Sequence, residues 1–545
     1  MKKIVSGGII VSLATTPWVS SDALIIPKII VLTCLAAFLL PSLVKNCKFF
    51  LVNKKHKAFI TFSILFITQM TIAMFISKAP FEQEFFGVTG RGLGFITYFS
   101  LIIIMLYTAI YVIYSDIPKV FYGLLISCLL SSIYSIFQFF NVDFSDWRTQ
   151  TNGIIGTIGN PNFQSSFIAI AFVPTMIYLW SRKYKYFSIS FIGSILLFTL
   201  YICESTQGYI ALSAALVVFI LLHFWYNKSR SIFISTFIAT IFAGFLAIAG
   251  MLDKGPLSYY LYKVSVRSRG EMWQTASEMI KNNPTFGVGL DSLGDYSLMY
   301  QNKKTASGIA EYIDNSHNFF LQFAATGGII LALYYLAIIL LSLYSFFVVQ
   351  KRIGKFDRNL AALLAAWISF QMQSFISPAA IPTLMWNFIL CGIFIGLSKS
   401  VNPSMESKEN NLIKKSTNPQ KFSLNISGVI SVILAFILTS PLFNADRLAR
   451  QADIKKDAIL AVRAAKTYPE SVVRYNRLGG GLYQSGLYDL SLDIGRSAVK
   501  FNPNSYQTWI LILLNPNATI EERNKAKEAL LQIDPFNKEI KNYKF

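Results

Sequence analysis

The chain has only three histidines in 545 residues and little charge of any kind, since Asp, Glu, Lys and Arg together make up 14%. An ordinary soluble domain carries about 25% charged residues. That deficit, with 54% hydrophobic residues, 15% aromatics and a mean hydropathy of +0.48, excludes a soluble globular protein. Cysteine is scarce too. Cys34, Cys128, Cys203 and Cys391 lie in or at the ends of apolar segments and Cys47 sits in a lysine-rich loop; none falls in the more polar C-terminal tail, so neither a disulfide framework nor a metal site is expected. Acids are outnumbered by Lys and Arg, 28 to 49, for a net charge of +21. Concentrated on a soluble domain, that excess would suit a nucleic-acid binder. The lysines instead cluster in short loops between apolar runs, where they set orientation and meet anionic lipid heads, so the expected partner is the bilayer and no nucleic acid.

What is present in quantity is the membrane-crossing run. Candidate spans lie near residues 5–19, 22–43, 58–77, 95–114, 119–141, 163–180, 186–203, 208–226, 231–251, 318–349, 359–377, 382–398 and 423–441, each near the length that crosses about 30 Å of hydrocarbon as helix. The expected fold is an all-α polytopic helical membrane protein of about thirteen transmembrane helices with a C-terminal α-helical domain. The opening MKKIVSGGII has a signal peptide's basic and apolar regions without a convincing cleavage site, so it is read as a short first helix. With the N-terminus in the cytoplasm, alternate connections hold Lys45–Lys57, Arg182–Lys185, Lys228–Arg230, Lys351–Arg358 and Lys399–Lys421, as the positive-inside rule requires. The spans otherwise read as free of charge.

This topology divides the chain into a membrane region 1–398 with a long extracytoplasmic loop 252–317, a cytoplasmic linker 399–421, a final span 422–441 and an exported tail 445–545. In the tail, Pro469 and Pro503 stand thirty-four residues apart, the tetratricopeptide period. Tyr475, Leu478, Gly479, Gly486, Ala498 and Pro503 occupy consensus-like positions, with Trp509 starting the next unit, which makes the tail a candidate docking module for a protein partner.

Polar groups gather on the side that the lysines leave outside. They are Arg91 in FFGVTGRGLG, Asn160 and Asn162 in GTIGNPNF, Gln207 in ESTQGYIAL, Arg267 and Arg269 at the head of the long loop, and His317 with Asn318 at its close. Taken singly, each has a plain structural reading: Arg91 suits an interfacial arginine, Gly-Asn-Pro-Asn a helix cap, and a histidine at a helix start a packing role. The stretch from Arg269 to Ile280 reads as an amphipathic helix in which Ser265, Arg269 and Trp273 share a face, suited equally to phosphate of a ligand and of lipid. What favours chemistry is their company on one membrane face.

The run from Arg269 to Trp273, the following NPTFGVG and then SHNFFLQFAATGGI resembles the signature of the O-antigen ligase and O-antigen polymerase superfamily, and FFGVTGRGLG and GTIGNPNF resemble two earlier landmarks of that family in the same order. The resemblance covers roughly residues 20–400. It implies a glycosyltransferase C-type membrane fold and, without cofactor or metal, inverting transfer of a glycan from an undecaprenyl-diphosphate carrier to an acceptor hydroxyl outside the cytoplasmic membrane. By the resemblance, His317 corresponds to the family's essential histidine, Arg269 to its loop arginine and Arg91 to its early arginine; the chemistry of the transfer then casts His317 as general base and the two arginines as stabilising the diphosphate, and Arg267, Gln207, Asn160, Asn162, Trp273 and Asn318 are substrate-binding candidates. One position departs: the family's Ser-Arg-Gly appears here as Thr206-Gln207-Gly208, an uncharged hydrogen-bond donor in place of a cation. Ligase, polymerase and protein O-oligosaccharyltransferase readings differ only in the acceptor, which would be a glycolipid, a glycan or a protein. A solute or inorganic-carbon transporter is the reading from another class, and it would place ionisable groups at mid-membrane rather than at one edge.

Overall fold

The helix Ile381–Leu397 has every one of its residues buried, and the bundle is assembled around it. The computed structural model describes residues 1–51, 54–143, 145, 147, 153–262, 264–301, 312–399 and 418–544. Against the central helix lie Phe95–Tyr111, nearly as enclosed, and the N-terminal helix Lys2–Leu13. The contact is close because glycines permit it: a Cβ added at Gly8 or Gly123 would come within 2.8 Å of the Trp386 ring, whose indole N–H donates to Ser12 Oγ at 3.1 Å. At the other extreme, Arg230–Met251 buries only Gly250. A helix apolar all round with almost nothing packed on it faces lipid.

Among the described residues nine helices are long and apolar enough to cross a membrane, and the shorter apolar helices Phe95–Tyr111 and Ile381–Leu397 lie among them. Lys2–Leu13 and Arg358–Ser374 stand in the bundle with them, near runs that hydropathy marks as apolar. One end collects the lysine-rich connections, where Lys399 Nζ donates to Ile110 O (2.6 Å) and Arg352 Nη1 to Ser398 O (2.8 Å). The other end collects the polar loops.

Four details differ from the sequence expectation. The first helix stops at Leu13 rather than crossing to residue 19, because Lys28 Nζ, wholly buried, donates to the carbonyls of Ala14 (2.9 Å) and Leu24 (2.7 Å) and turns the chain there. The spans are therefore not free of charge. The run 318–349 is two helices, Phe319–Gly327 and Ile329–Ile353, parted at Gly328. Finally, the last span does not end at residue 441: Asn418–Lys455 is one helix of 38 residues, about 57 Å long, that packs on Ile26–Lys45 and continues into the tail. Most of the expected linker 399–421 lies outside the described residues.

The tail is a stack of antiparallel helix pairs, with Val472–Gln484 on Tyr488–Phe501 and Tyr506–Leu513 on Ile520–Ile533. Tyr475, Leu478 and Ala498 are buried between them, and Ser491 Oγ donates to Gly479 O at 2.9 Å across the first pair. The stack is fastened to the polar end of the bundle. Asp446 Oδ2 accepts from the amides of Ser21 (2.5 Å) and Asp22 (3.0 Å), Thr89 and Ser471 share a hydroxyl hydrogen bond (2.8 Å), and Leu298 from the long loop joins the core of the second pair.

The break at Gly328 is built by two glycine-bearing strips of backbone. The amides of Val288 and Gly289 donate to Ala325 O (2.9 Å) and Thr326 O (3.1 Å), Ile329 N donates to Pro284 O (2.8 Å), and Gln69 Nε2 bridges Thr285 O (2.7 Å) and Gly327 O (3.1 Å). Gly328 has φ +86, and a methyl group there would overlap the Thr285 carbonyl oxygen. Gly328→Ala is thus expected to lower stability by about 2–4 kcal/mol. In a thermal melt in detergent it should fall well below wild type, while Gly244→Ala, with open space around it, should match wild type.

Candidate active site

The long loop opens on the helix Val264–Asn282. Met272, Ala276 and Met279 recur at helical spacing and pack on Phe319–Gly327 with Val288 and Ala325. Arg269 stands one turn before Met272 on the same stripe, so the packing that seats the helix also carries the guanidinium inward. Its Nε is buried with no hydrogen-bond partner, and burial pushes its pKa down. Arg267 falls elsewhere. It is exposed and faces Glu271 at 3.7 Å, so the structure does not bring it to the site.

His317 sits where the loop re-enters the bundle, in the left-handed region at φ +51. A bulky residue rarely adopts that conformation, and here neighbours enforce it. The His317 amide donates to Asn315 Oδ1 (2.9 Å), the Ser316 amide to Gln322 Oε1 (3.0 Å), and Asn318 caps the next helix by accepting from Phe320 N (3.1 Å) and Leu321 N (3.0 Å). The imidazole is held with Nδ1 buried and unpartnered. Burial first, then the positive fields of Arg91 and Arg269, push its pKa down to about 4, against a smaller opposing pull from Asp314. It is therefore neutral at pH 7.

Arg91 reaches this group from a tight turn, Val88–Leu93, closed by the amides of Arg91 (3.0 Å) and Gly92 (2.9 Å) donating to Val88 O. Gly90 and Gly92 take positive φ there. Asp291 Oδ2 accepts from Val88 N (2.8 Å) and Leu93 N (3.3 Å), and its carboxyl is pushed up to about 6 by burial. The Arg91 guanidinium pairs with Asp314 through both Nε and Nη2. Glu84, raised to about 7 by burial, accepts from Leu290 N (2.8 Å) and Ser77 Oγ (2.6 Å) and pins the long loop beside this turn.

Asn160, Asn162 and Gln207 form a separate cluster at the same end. Asn160 caps Pro161–Trp180 by accepting from Asn162 N (2.9 Å), and Asn162 Oδ1 accepts from Ser205 Oγ (2.7 Å). Both Asn160 and Asn318 have their side-chain oxygens occupied as helix caps, which is the plain reading of each. Gln207 is buried, with its amide oxygen unpartnered. The side-chain hydrogen bonds of Asn160 and Asn162 run within this cluster, whereas Arg91 turns to Asp314. The carboxylates Asp291, Asp314 and Glu84 were not singled out from the sequence, where nothing marks which amides or guanidinium will meet them.

Residues 191–336 match the family described as O-Antigen ligase. The chain carries an O-antigen ligase family domain. The matched stretch holds Gln207, Arg267, Arg269, Trp273, His317 and Asn318, and the Arg91 turn and Asn-Pro-Asn cap lie before it. No curated protein matches the chain. The O-antigen ligase family implies membrane glycosyltransferase-type activity, as ligase or polymerase, with a lipid-linked glycan as donor and an acceptor in a membrane. Among the described residues no group of three or more His, Cys, Asp or Glu gathers as a metal site. The guanidiniums of Arg91 and Arg269 are cations whose field reaches His317.

Proposed function

We propose that this protein transfers a glycan from an undecaprenyl-diphosphate carrier to an acceptor hydroxyl at the extracytoplasmic face of the cytoplasmic membrane, inverting the anomeric centre. The observation that supports it most is a neutral imidazole with a buried, unpartnered nitrogen lying in the field of two guanidiniums, one of which is itself under-bonded. Open valences on His317 and Arg269 fit a site completed by substrate.

In this reading the acceptor oxygen attacks the anomeric carbon as His317 takes the hydroxyl proton. The bond from that carbon to the diphosphate oxygen breaks, and its electron pair leaves with the diphosphate, whose growing charge is met by Arg269 and Arg91. No metal ion is assigned a role. The lysine pattern supports the outward placement, with the N-terminus inside and the C-terminal stack outside, and the thirty-four-residue period supports reading that stack as tetratricopeptide-like.

The test is reconstitution of the full chain in liposomes with the lipid-linked glycan of its own cell, offered a glycolipid core, a second lipid-linked chain or a protein as acceptor. Release of undecaprenyl diphosphate coupled to product on one acceptor is expected. Absence of transfer to all three would sink the proposal.

A further inference from the structure

A cleft of about 730 Å³ lies between the helix Val264–Asn282 and the C-terminal stack, its lining starting at Gly270, the residue after Arg269. Its size is within the range of about 300–1,000 Å³ usual for small-molecule sites. One wall is the face of that helix carrying Trp273 and Gln274, the floor includes Tyr300, and the opposite wall is Pro535 and Phe536 from the turn after the last long helix of the stack. Trp273 is one helical turn, about 6 Å of rise, beyond Arg269.

The lining discriminates among ligands. Among the described lining residues the charged ones are Glu278 and Lys281, which pair with each other at 2.6 Å. Three aromatic faces stand among amides and hydroxyls, and Tyr300 is held by Asn283 Nδ2 donating to its OH at 3.0 Å. Flat apolar faces interleaved with neutral hydrogen-bonding groups match a sugar ring, which has apolar C–H faces and a polar hydroxyl rim.

We propose that this cleft binds the uncharged glycan chain near the reacting end, with the C-terminal stack supplying one wall of the site. The proposal rests on the transferase reading for its purpose, and its test is separate. End-labelled oligosaccharides released by mild acid from the lipid-linked glycan are titrated with the full chain in nanodiscs, and anisotropy reports binding. Trp273→Ala and Phe536→Ala, on different elements, should each weaken binding about tenfold, Trp273→Phe should recover most of it, and His317→Ala should bind as wild type. Wild-type affinity in both alanine variants, no binding by wild type, or binding of an unglycosylated Ser/Thr-rich peptide in place of the glycan would overturn the cleft assignment. If binding follows expectation while His317→Ala still transfers glycan, the cleft stands and the catalytic assignment falls.

Discussion

Arg269→Ala is expected to lower the rate of glycan transfer at saturating donor by about 10²–10³-fold, the usual cost of removing one fixed donor aimed at developing negative charge. The effect should exceed that of Arg91→Ala. Arg91 already pairs with Asp314, so part of its field is spent within the protein, whereas Arg269 Nε has no hydrogen-bond partner and lies buried, where charge is poorly screened. Arg269→Lys should recover only a fraction, because an ammonium restores the charge and not the planar fork that grips two phosphate oxygens. Undecaprenyl diphosphate release measures the step, with a thermal melt to show that each variant is folded. Rates within threefold of wild type in both alanine variants would remove the guanidiniums from the mechanism.

Hydropathy made the path of the chain legible, because crossing hydrocarbon imposes length and apolarity on each span separately. What escaped depends on partners far away in sequence. The run 318–349 is uniformly apolar and reads as one helix; it breaks because the backbone of Thr285–Gly289 lies against Gly327 and Gly328, and the glycines in both strips are there for that approach. Nothing in an apolar run marks Lys28 as a buried cation, because its partners are backbone carbonyls, Ala14 O at the end of the first helix and Leu24 O in the turn before its own. The same asymmetry runs through the site. Arg91, Arg269 and His317 stood out as polar groups on one face, whereas Asp291 and Asp314 act through amides and a guanidinium about two hundred residues away. Arg267 shows the converse: two residues from Arg269 on a helix, it points away from the packed stripe and into solvent.

The low pKa of His317 leads to the other large effect. His317→Ala should cost about 10²–10⁴-fold, the range for losing a positioned base. With the imidazole pKa pushed down to about 4 in the free protein, kcat/KM should stay flat as pH falls through 6.5, the ordinary histidine value, and drop only as the ring is protonated. A base this weak takes a proton poorly. Burial, the larger cause, stays in the donor complex, but seating the diphosphate between Arg91 and Arg269 cancels the positive field that adds to it, so donor binding strengthens the base at the moment it is needed. Because kcat reports the substrate complex and kcat/KM the free enzyme, the acid limb of kcat should lie at higher pH than that of kcat/KM. Arg269→Ala, which removes one of the two charges and leaves the ring and its burial, should move the kcat/KM limb upward by the smaller part of the depression. Limbs that coincide near 6.5 and ignore Arg269→Ala would show that His317 is not the titrating base.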